Sequence, residues 1–226
     1  MKVPANMTDK SVLILCAGVQ SRWGNIKIPK QLLHAGEETL LDRIVRQVRD
    51  RGAEPVIVTH LEELQRPGVR CVCPKNRRWK AESLLDLKDS WGSYVTLVLL
   101  GDVIYQGHVM NRIFDHDGID MFFGNYAEIF AYYFHNNVTV KGYLNDVIQR
   151  CLNSPDKGTL HSLFRAYIGE FTRPSIERHK DRSNVFTHVT GDGGWTRDID
   201  TPEEYELFLK EVVKTNKLDD LPRRPI

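Results

Sequence analysis

Residues 11–18, SVLILCAG, decide the fold, because a continuous hydrophobic run ends abruptly in two small residues. A run of this kind, without polar alternation, is typical of a buried strand in a parallel sheet. Similar runs follow at 55–59, 69–73 and 94–100, and helical patterns of apolar residues lie between them at 39–51 and 81–91. Strands that alternate with helices of ~10–15 residues predict βαβ units. We therefore predict an α/β fold with a mostly parallel mixed sheet, covered by helices on both faces as a three-layer α/β/α sandwich.

The second half of the chain continues with shorter elements. It predicts strands at 121–123, 129–134 and 185–189, and helices at 108–116, 138–152, 159–168 and from Thr201 onward. The last helix begins with Thr201, Pro202 and Glu204, which together form a capping box with proline at the first helical position. We expect one domain over residues 10–215, with flexible ends at 1–9 and 216–226.

Composition excludes several classes of protein. The 226 residues include 31 Lys and Arg against 30 Asp and Glu, with 41% hydrophobic and 27% charged residues. These values predict a globular core and argue against a disordered chain or a binder of nucleic acid through bulk positive charge. The chain has no apolar run of ~18 residues and no secretory signal, so we expect a soluble cytoplasmic protein that binds neither nucleic acid nor membrane. The nearest cysteine pair, Cys71 and Cys73, lacks further ligands for a metal, and buried reduced thiols are expected.

The segment after the first strand carries the clearest functional signal. In open sheets of this kind, ligands bind beyond the carboxyl ends of the strands. Ala17 and Gly18 let the backbone approach a ligand closely, and Arg22 and Lys30 add two cations that suit a polyphosphate. A surface loop with fortuitous charges is the alternative. The P-loop pattern GxxxxGK[ST] is absent.

Two acidic segments stand at predicted strand ends. Asp102 follows Gly101 after the strand at 94–100, where a cap of the next turn is the structural alternative. Asp198 and Asp200 flank Ile199, so both carboxylates are expected on the side away from the core. Thr201 already explains the helix start, so capping does not require either aspartate.

These segments together resemble the sugar-phosphate and MobA-like nucleotidyltransferases, whose fold is similar to that of glycosyltransferase-A enzymes. The family's opening motif, LxAGxGxRxG followed by PKxL, wraps the nucleoside triphosphate. Its matching residues are Ala17, Gly18, Ser21, Arg22, Gly24, Pro29 and Lys30, whereas Gln20 replaces the usual second glycine. LLGDV resembles the segment whose aspartate binds the catalytic cation, and DIDTPEEY resembles the late segment with the second ligand. The resemblance therefore implies a Mg²⁺ site formed by Asp102 and Asp200, with Asp198 as second choice.

Residues 76–85 resemble the family's stretch that contacts base and ribose. Asn76 and Ser83 are the candidates for nucleotide binding, with Arg77 or Lys80 as phosphate contacts; a simple helix start with solvated cations is the alternative.

Two further candidates are weaker. Glu128 lies where acceptor-binding residues are expected but also suits a surface position, and Trp195 either closes over a ligand or packs on the core. The spacing of the 8 histidines indicates no catalytic histidine.

The sequence thus predicts a Mg²⁺-dependent nucleotidyltransferase. It would transfer a nucleoside monophosphate from a triphosphate to a phosphorylated acceptor, a sugar or polyol phosphate, and release pyrophosphate. Arg22 and Lys30 would be catalytic, and a homo-oligomer is compatible with the sequence. A nucleotide-sugar-dependent glycosyltransferase and a non-catalytic nucleotide-binding domain are the alternatives.

Overall fold

The predicted hydrophobic runs form one seven-stranded sheet in the computed structural model, which describes residues 10–18, 28–170, 184–189 and 196–210. In chain order the strands are β1 (Lys10–Leu15), β2 (His34–Ala35), β3 (Glu38–Thr39), β4 (Pro55–Val58), β5 (Arg70–Val72), β6 (Val95–Leu100), β7 (Val103–Ile104), β8 (Met121–Gly124), β9 (Ile129–His135), β10 (Phe186–His188) and β11 (Arg197–Asp198). The sheet order is β10-β8-β9-β6-β1-β4-β5, and β9 alone among these seven runs against its neighbours. The prediction of a mostly parallel mixed sheet is confirmed.

Helices cover the sheet. They are α1 (Leu40–Arg49), α2 (Lys80–Asp86), α3 (Gly107–Phe114), α4 (Val138–Leu152), α5 (Leu160–Tyr167) and α6 (Pro202–Phe208). Helices α2, α4 and α5 pack against one another, while Arg51, just after α1, donates a hydrogen bond of 2.6 Å to Asn111 in α3. Side chains of Thr39, Asn137, Thr159 and Thr201 cap α1, α4, α5 and α6 by accepting a backbone N–H, which satisfies a donor that the helix itself leaves unpaired.

The centre of the sheet is buried, and Thr96 is the one polar residue of β6. All six residues of β6 are buried, as are Val12, Leu13 and Ile14 of β1 beside it. β6 pairs with β1 along the whole length of both strands. This pairing fixes where the two strands end, and therefore where the segments after them lie.

Two small ladders were not predicted. β2 pairs with β3, and β7 pairs with β11, both antiparallel. A second small core lies beside these ladders, separate from the main one; it consists of Leu33, Ala35, Leu40, Ile104, Ile199 and Phe208. The β7–β11 ladder brings the segment before α6 to the carboxyl end of β6.

Two other expectations were wrong in detail. The helix expected over 81–91 ends at Asp86 and is followed by a 3-10 turn, because the indole N–H of Trp91 donates to the carbonyl of Leu84 near the helix end. Cys73 is exposed and Cys71 half-buried rather than buried, since β5 is an edge strand and Cys73 lies beyond its end. All four cysteines are free.

Candidate active site

A cleft of about 670 Å³ opens at the carboxyl ends of β1 and β6. Ala17 and Gly18 line it from the end of β1, and Asp102 lines it just beyond β6. A Cβ at Gly18 would have no atom within 4 Å, so the backbone there faces open space. A second concavity of about 520 Å³ lies beside α3 and contains none of the predicted site residues.

A close contact between the two strand ends fixes the floor of the cleft. The N–H of Gly101 donates to the carbonyl of Leu15 at 3.0 Å. A Cβ at Gly101 would overlap Sγ of Cys16 and would lie 3.1 Å from that carbonyl. Cys16 is buried, and burial raises the pKa of its thiol, so it is a packing group rather than a nucleophile. Gly101 is therefore required for the approach that positions Asp102.

Three carboxylates line the cleft. Asp198 pairs with Val103 in the β7–β11 ladder, and the N–H of Ile199 donates to the carbonyl of Asp102 at 3.2 Å. Ile199 is fully buried, whereas Asp198 and Asp200 on either side of it line the cleft with Asp102. The alternation around Ile199 thus places both carboxylates on the ligand side.

The environment of Asp198 is unusual for a carboxylate. Its Oδ1 is buried and has no hydrogen-bond partner among the described residues. Burial, and then the negative charges of Asp102 and Asp200, raise its pKa to about 8, although Lys80 and Lys30 partly oppose this. Two like charges beside a buried acid make the site unfavourable for three ionised groups unless a cation joins them.

Lys30 supplies a positive charge beside one of these carboxylates, Asp200. It begins the 3-10 helix Lys30–Leu32 after Pro29, and its Nζ lies 3.0 Å from Oδ1 of Asp200. Lys30 lines the cleft but is only 4% exposed, so its ammonium is held against Asp200 and does not extend into solvent. Glu204 holds the backbone at Asp200 in place, because its Oε2 accepts the N–H of Asp200 at 2.7 Å as well as the N–H of Thr201.

No complete metal site of three or more His, Cys, Asp or Glu side chains occurs in the parts of the chain that are described. A hard cation held here would therefore need oxygens from a ligand in addition to the carboxylates. This is the usual arrangement for Mg²⁺, which binds one or two carboxylates together with phosphate oxygens and waters.

Several basic residues line the same cleft. Arg77, Arg78, Trp79, Lys80 and Ser83 line it around the start of α2. Arg78 is ion-paired with Glu82 and lies 4.8 Å above the indole of Trp79.

The two nucleotide-binding candidates of this stretch are placed differently. Ser83 is buried in the first turn of α2, where its hydroxyl donates to the carbonyl of Asn76 at 3.4 Å. Asn76 is exposed and does not line the cleft; its N–H donates to Asp86 at 3.3 Å.

Several predicted residues lie outside the described ranges. These are Ser21, Arg22, the neighbouring Gln20 and Gly24, and Trp195. Glu128 is described: it is half-buried, and its Oε2 accepts the N–H of Asp198 at 3.4 Å. Burial raises the pKa of Glu128, with a smaller contribution in the same direction from Asp200.

Sequence reasoning missed one wall of the cleft. Lys157, Gly158 and Thr159 line it from the α4–α5 connection. No motif marks this segment, and only the packing of α4 and α5 against α2 brings it to the site. The role of Glu204 was recognised as capping, but its hydrogen bond to Asp200 was not.

Among the described residues, no helix has the length and apolar character needed to cross a membrane.

The fold is similar to those of several solved enzymes. Inositol-1-phosphate CTP transferase from T. maritima has a TM-score of 0.59 at 12% identity, covering 94% of this chain and 97% of that one. A putative glucose-1-phosphate thymidylyltransferase from Bacillus anthracis has a TM-score of 0.56 at 14% identity, covering 96% and 98%. CTP:phosphocholine cytidylyltransferase from Streptococcus pneumoniae has a TM-score of 0.53 at 15% identity, covering 89% and 98%. At these identities the likeness concerns the fold.

Sequence comparison identifies the family. No curated protein matches the chain significantly in sequence. The sequence profile of the MobA-like NTP transferase domain, however, matches residues 12–168. Since that match covers more than half of the chain, the protein belongs to the MobA-like NTP transferase family and is a nucleotidyltransferase.

Proposed function

We propose that this nucleotidyltransferase transfers a nucleoside monophosphate from a triphosphate to a phosphorylated acceptor, with Mg²⁺, and releases pyrophosphate. One observation carries the proposal. Lys30 and the three carboxylates Asp102, Asp198 and Asp200 line one cleft together with the open backbone at Gly18. A site of mixed charge with free backbone beside it suits a metal-bound triphosphate better than a neutral ligand.

The donor set fits Mg²⁺. Oδ1 of Asp198 is buried without a partner in the part of the chain that the structure describes, and Asp102 and Asp200 add carboxylate oxygens, which are the hard ligands that this cation prefers. Asp102 and Asp200 would hold the ion, with Asp198 beside them. When bound, Mg²⁺ supplies positive charge that neutralises the phosphate oxygens.

The chain's own residues account for positioning. The backbone at Ala17 and Gly18 faces the cleft, where it accommodates the phosphates closely. The ammonium of Lys30 donates to phosphate oxygens and stabilises the charge that develops on the leaving group; Arg22 is assigned the same task from the sequence motif. A phosphate acceptor is already anionic near neutral pH, so no general base is required. Catalysis then consists of alignment and charge neutralisation.

The acceptor is proposed to be a sugar or polyol phosphate. The names of the structural neighbours include phosphocholine, inositol 1-phosphate and glucose 1-phosphate. All three are phosphate monoesters of small alcohols or sugars. This shared chemistry supports a phosphomonoester as the nucleophile.

The test is a pyrophosphate-release assay of the four common nucleoside triphosphates against a panel of phosphorylated sugars and polyols, with Mg²⁺ and with EDTA. We expect release with one pair and none in EDTA. For that pair, Lys30→Ala and Asp102→Ala should each lower kcat roughly 100-fold or more, because each removes a preorganised charge from the reacting phosphates.

Lys88→Ala is the matched control, since Lys88 is exposed and does not line the cleft. It should retain wild-type turnover. Near-normal kcat in Lys30→Ala or Asp102→Ala, with the fold intact by circular dichroism, would contradict the proposed roles.

A further inference from the structure

The α4–α5 connection is fixed against the start of α2 by backbone contact. The N–H of Ala81 donates to the carbonyl of Gly158 at 2.9 Å. Gly158 is buried at this contact, and its neighbours Lys157 and Thr159 line the cleft with it. Residues 157–159 therefore form a wall of the cleft whose position depends on α2.

Gly158 leaves no room for a side chain. A Cβ there would lie 2.8 Å from Cβ of Trp79 and 3.2 Å from its Cγ. Trp79 is half-buried against this backbone and is covered on one side by the guanidinium of Arg78. The position of the indole in the cleft thus depends on a glycine at 158.

Local hydrogen bonds use the other polar groups of this wall. The carbonyl of Lys157 accepts the N–H of Thr159 at 2.8 Å. The hydroxyl of Thr159 accepts the N–H of Ser162 at 3.2 Å and so caps α5. The ammonium of Lys157 has no ion-pair or hydrogen-bond partner within the described ranges. Of the three residues, only Lys157 has a side chain available to a ligand.

Different residues of the cleft suit different parts of a nucleotide. Lys30 and the carboxylates suit phosphates and their cation, whereas the indole of Trp79, which lines the cleft beside Gly158, offers an aromatic ring that suits a base. A lysine ammonium carries three donors and no acceptor, so it recognises oxygen or nitrogen acceptors on the base or ribose.

We infer that residues 157–159 form the outer wall of the base–ribose subsite and that Lys157 is a nucleotide-binding residue that contacts this end of the triphosphate. The inference rests on the proposed function. It adds a segment, between α4 and α5, that neither the sequence motifs nor the proposed reaction roles include. Lys157 acts in binding only and does not contact the reacting phosphates.

The first test compares Lys157→Ala with Lys88→Ala, which removes an exposed charge outside the cleft. We expect Lys157→Ala to raise KM for the triphosphate roughly three- to tenfold, with kcat within about twofold of wild type, as for loss of one hydrogen bond made equally in the ground and transition states. KM for the acceptor and the inhibition constant of pyrophosphate should not change.

Other outcomes of that comparison overturn the inference. If the KM for the triphosphate is unchanged, Lys157 does not contact the nucleotide. An increase in the pyrophosphate inhibition constant by the same factor would show that Lys157 contacts the phosphates. A change in the KM for the acceptor would show that Lys157 contacts the acceptor.

The second test compares Gly158→Ala with Gly142→Ala. A Cβ at Gly142, in α4, would meet no atom within 4 Å, so this variant controls for the loss of a glycine. Gly158→Ala should raise triphosphate KM at least threefold and change the ratio of kcat/KM between the accepted triphosphate and its nearest competitor, because Trp79 must move. If the ratio of kcat/KM between the two triphosphates is the same in both variants and in wild type, residues 157–159 do not form part of the base–ribose subsite.

The proposed function and the role of residues 157–159 can be refuted separately. If the wild-type protein neither releases pyrophosphate nor binds any of the four triphosphates with Mg²⁺ by calorimetry, the proposed function is wrong. If wild type is active while the Lys157 and Gly158 variants retain its KM and its selectivity, only the inference about residues 157–159 is wrong.

Discussion

Replacing Gly101 by alanine tests the contact that fixes the floor of the cleft. The added Cβ would overlap Sγ of Cys16 and would lie 3.1 Å from the carbonyl of Leu15 and 3.4 Å from Cγ of Gln31. Cys16 is 2% exposed, so its sulfur cannot turn toward solvent, and the carbonyl belongs to Leu15, which is paired with Val58 on one side and Leu100 on the other. The strands must therefore separate locally.

The expected cost follows from these contacts. Adding one methyl group to a packed core costs about 1–3 kcal/mol, and the value here should lie in the upper half because one of the crowding atoms is backbone. Cys16→Ala alone removes one buried sulfur, for about 1 kcal/mol. In the Cys16→Ala background, Gly101→Ala should cost about 1–2 kcal/mol less than in wild type, since the worst overlap has been removed.

Urea unfolding of the four proteins of this double-mutant cycle gives the coupling directly, and kcat of each reports the position of Asp102. Gly101→Ala should lower kcat more than Cys16→Ala does. If Gly101→Ala unfolds at the wild-type urea concentration, or if the two changes are additive, the close approach described here is wrong.

Three further predictions concern the surroundings of the site. The raised pKa of Asp198, about 8 instead of 3.8, means that the folded metal-free protein retains a proton that the unfolded chain has lost, so the free energy of unfolding falls as pH rises from about 4 to 8. Asp198→Asn should remove about 2 kcal/mol of that fall between pH 5.5 and 8, measured by urea unfolding in EDTA. The full pKa shift would correspond to a larger free energy, which solvent screening reduces. The same dependence of unfolding free energy on pH in both proteins would refute this. Tyr105→Phe should cost about 1–2 kcal/mol by chemical denaturation, because its buried hydroxyl donates to the carbonyl of Phe130 at 2.7 Å. Thr201→Ala should cost about 1 kcal/mol by loss of the capping box with Glu204, whereas Thr201→Ser should retain most of it.

The strands of the main sheet could be predicted because their signal is local. The run at 94–100 contains no charged residue, and the structure buries every residue of Val95–Leu100; only Tyr94, 58% exposed, falls outside the strand. The signals for helix starts are also local in sequence, since Thr39 and Thr201 cap the helices that directly follow them.

The assembly of the site depends on contacts between distant residues, which single-sequence patterns do not contain. Lys30 and Asp200 are 170 positions apart, and their ion pair depends on the two-residue ladder of β7 with β11. So short a ladder has no periodicity to detect. The wall at residues 157–159 was missed for a similar reason, because its place follows from how α4 and α5 pack on α2.

The existence of two separate cores has a consequence for how the protein responds to ligand. Six residue pairs join β1 to β6, whereas β11 is joined to β7 by two. Residues 197–208, which carry Asp198 and Asp200, should therefore open at a lower free energy than the main sheet and exchange their amide hydrogens sooner. A metal–nucleotide complex held from both sides of the cleft would bind only the closed arrangement and would tie this segment to the larger core. With substrate bound, this segment would unfold together with the larger core. The free energy of opening of residues 197–208, measured by amide hydrogen exchange, should then rise with nucleotide concentration [L] as RT ln(1 + [L]/Kd).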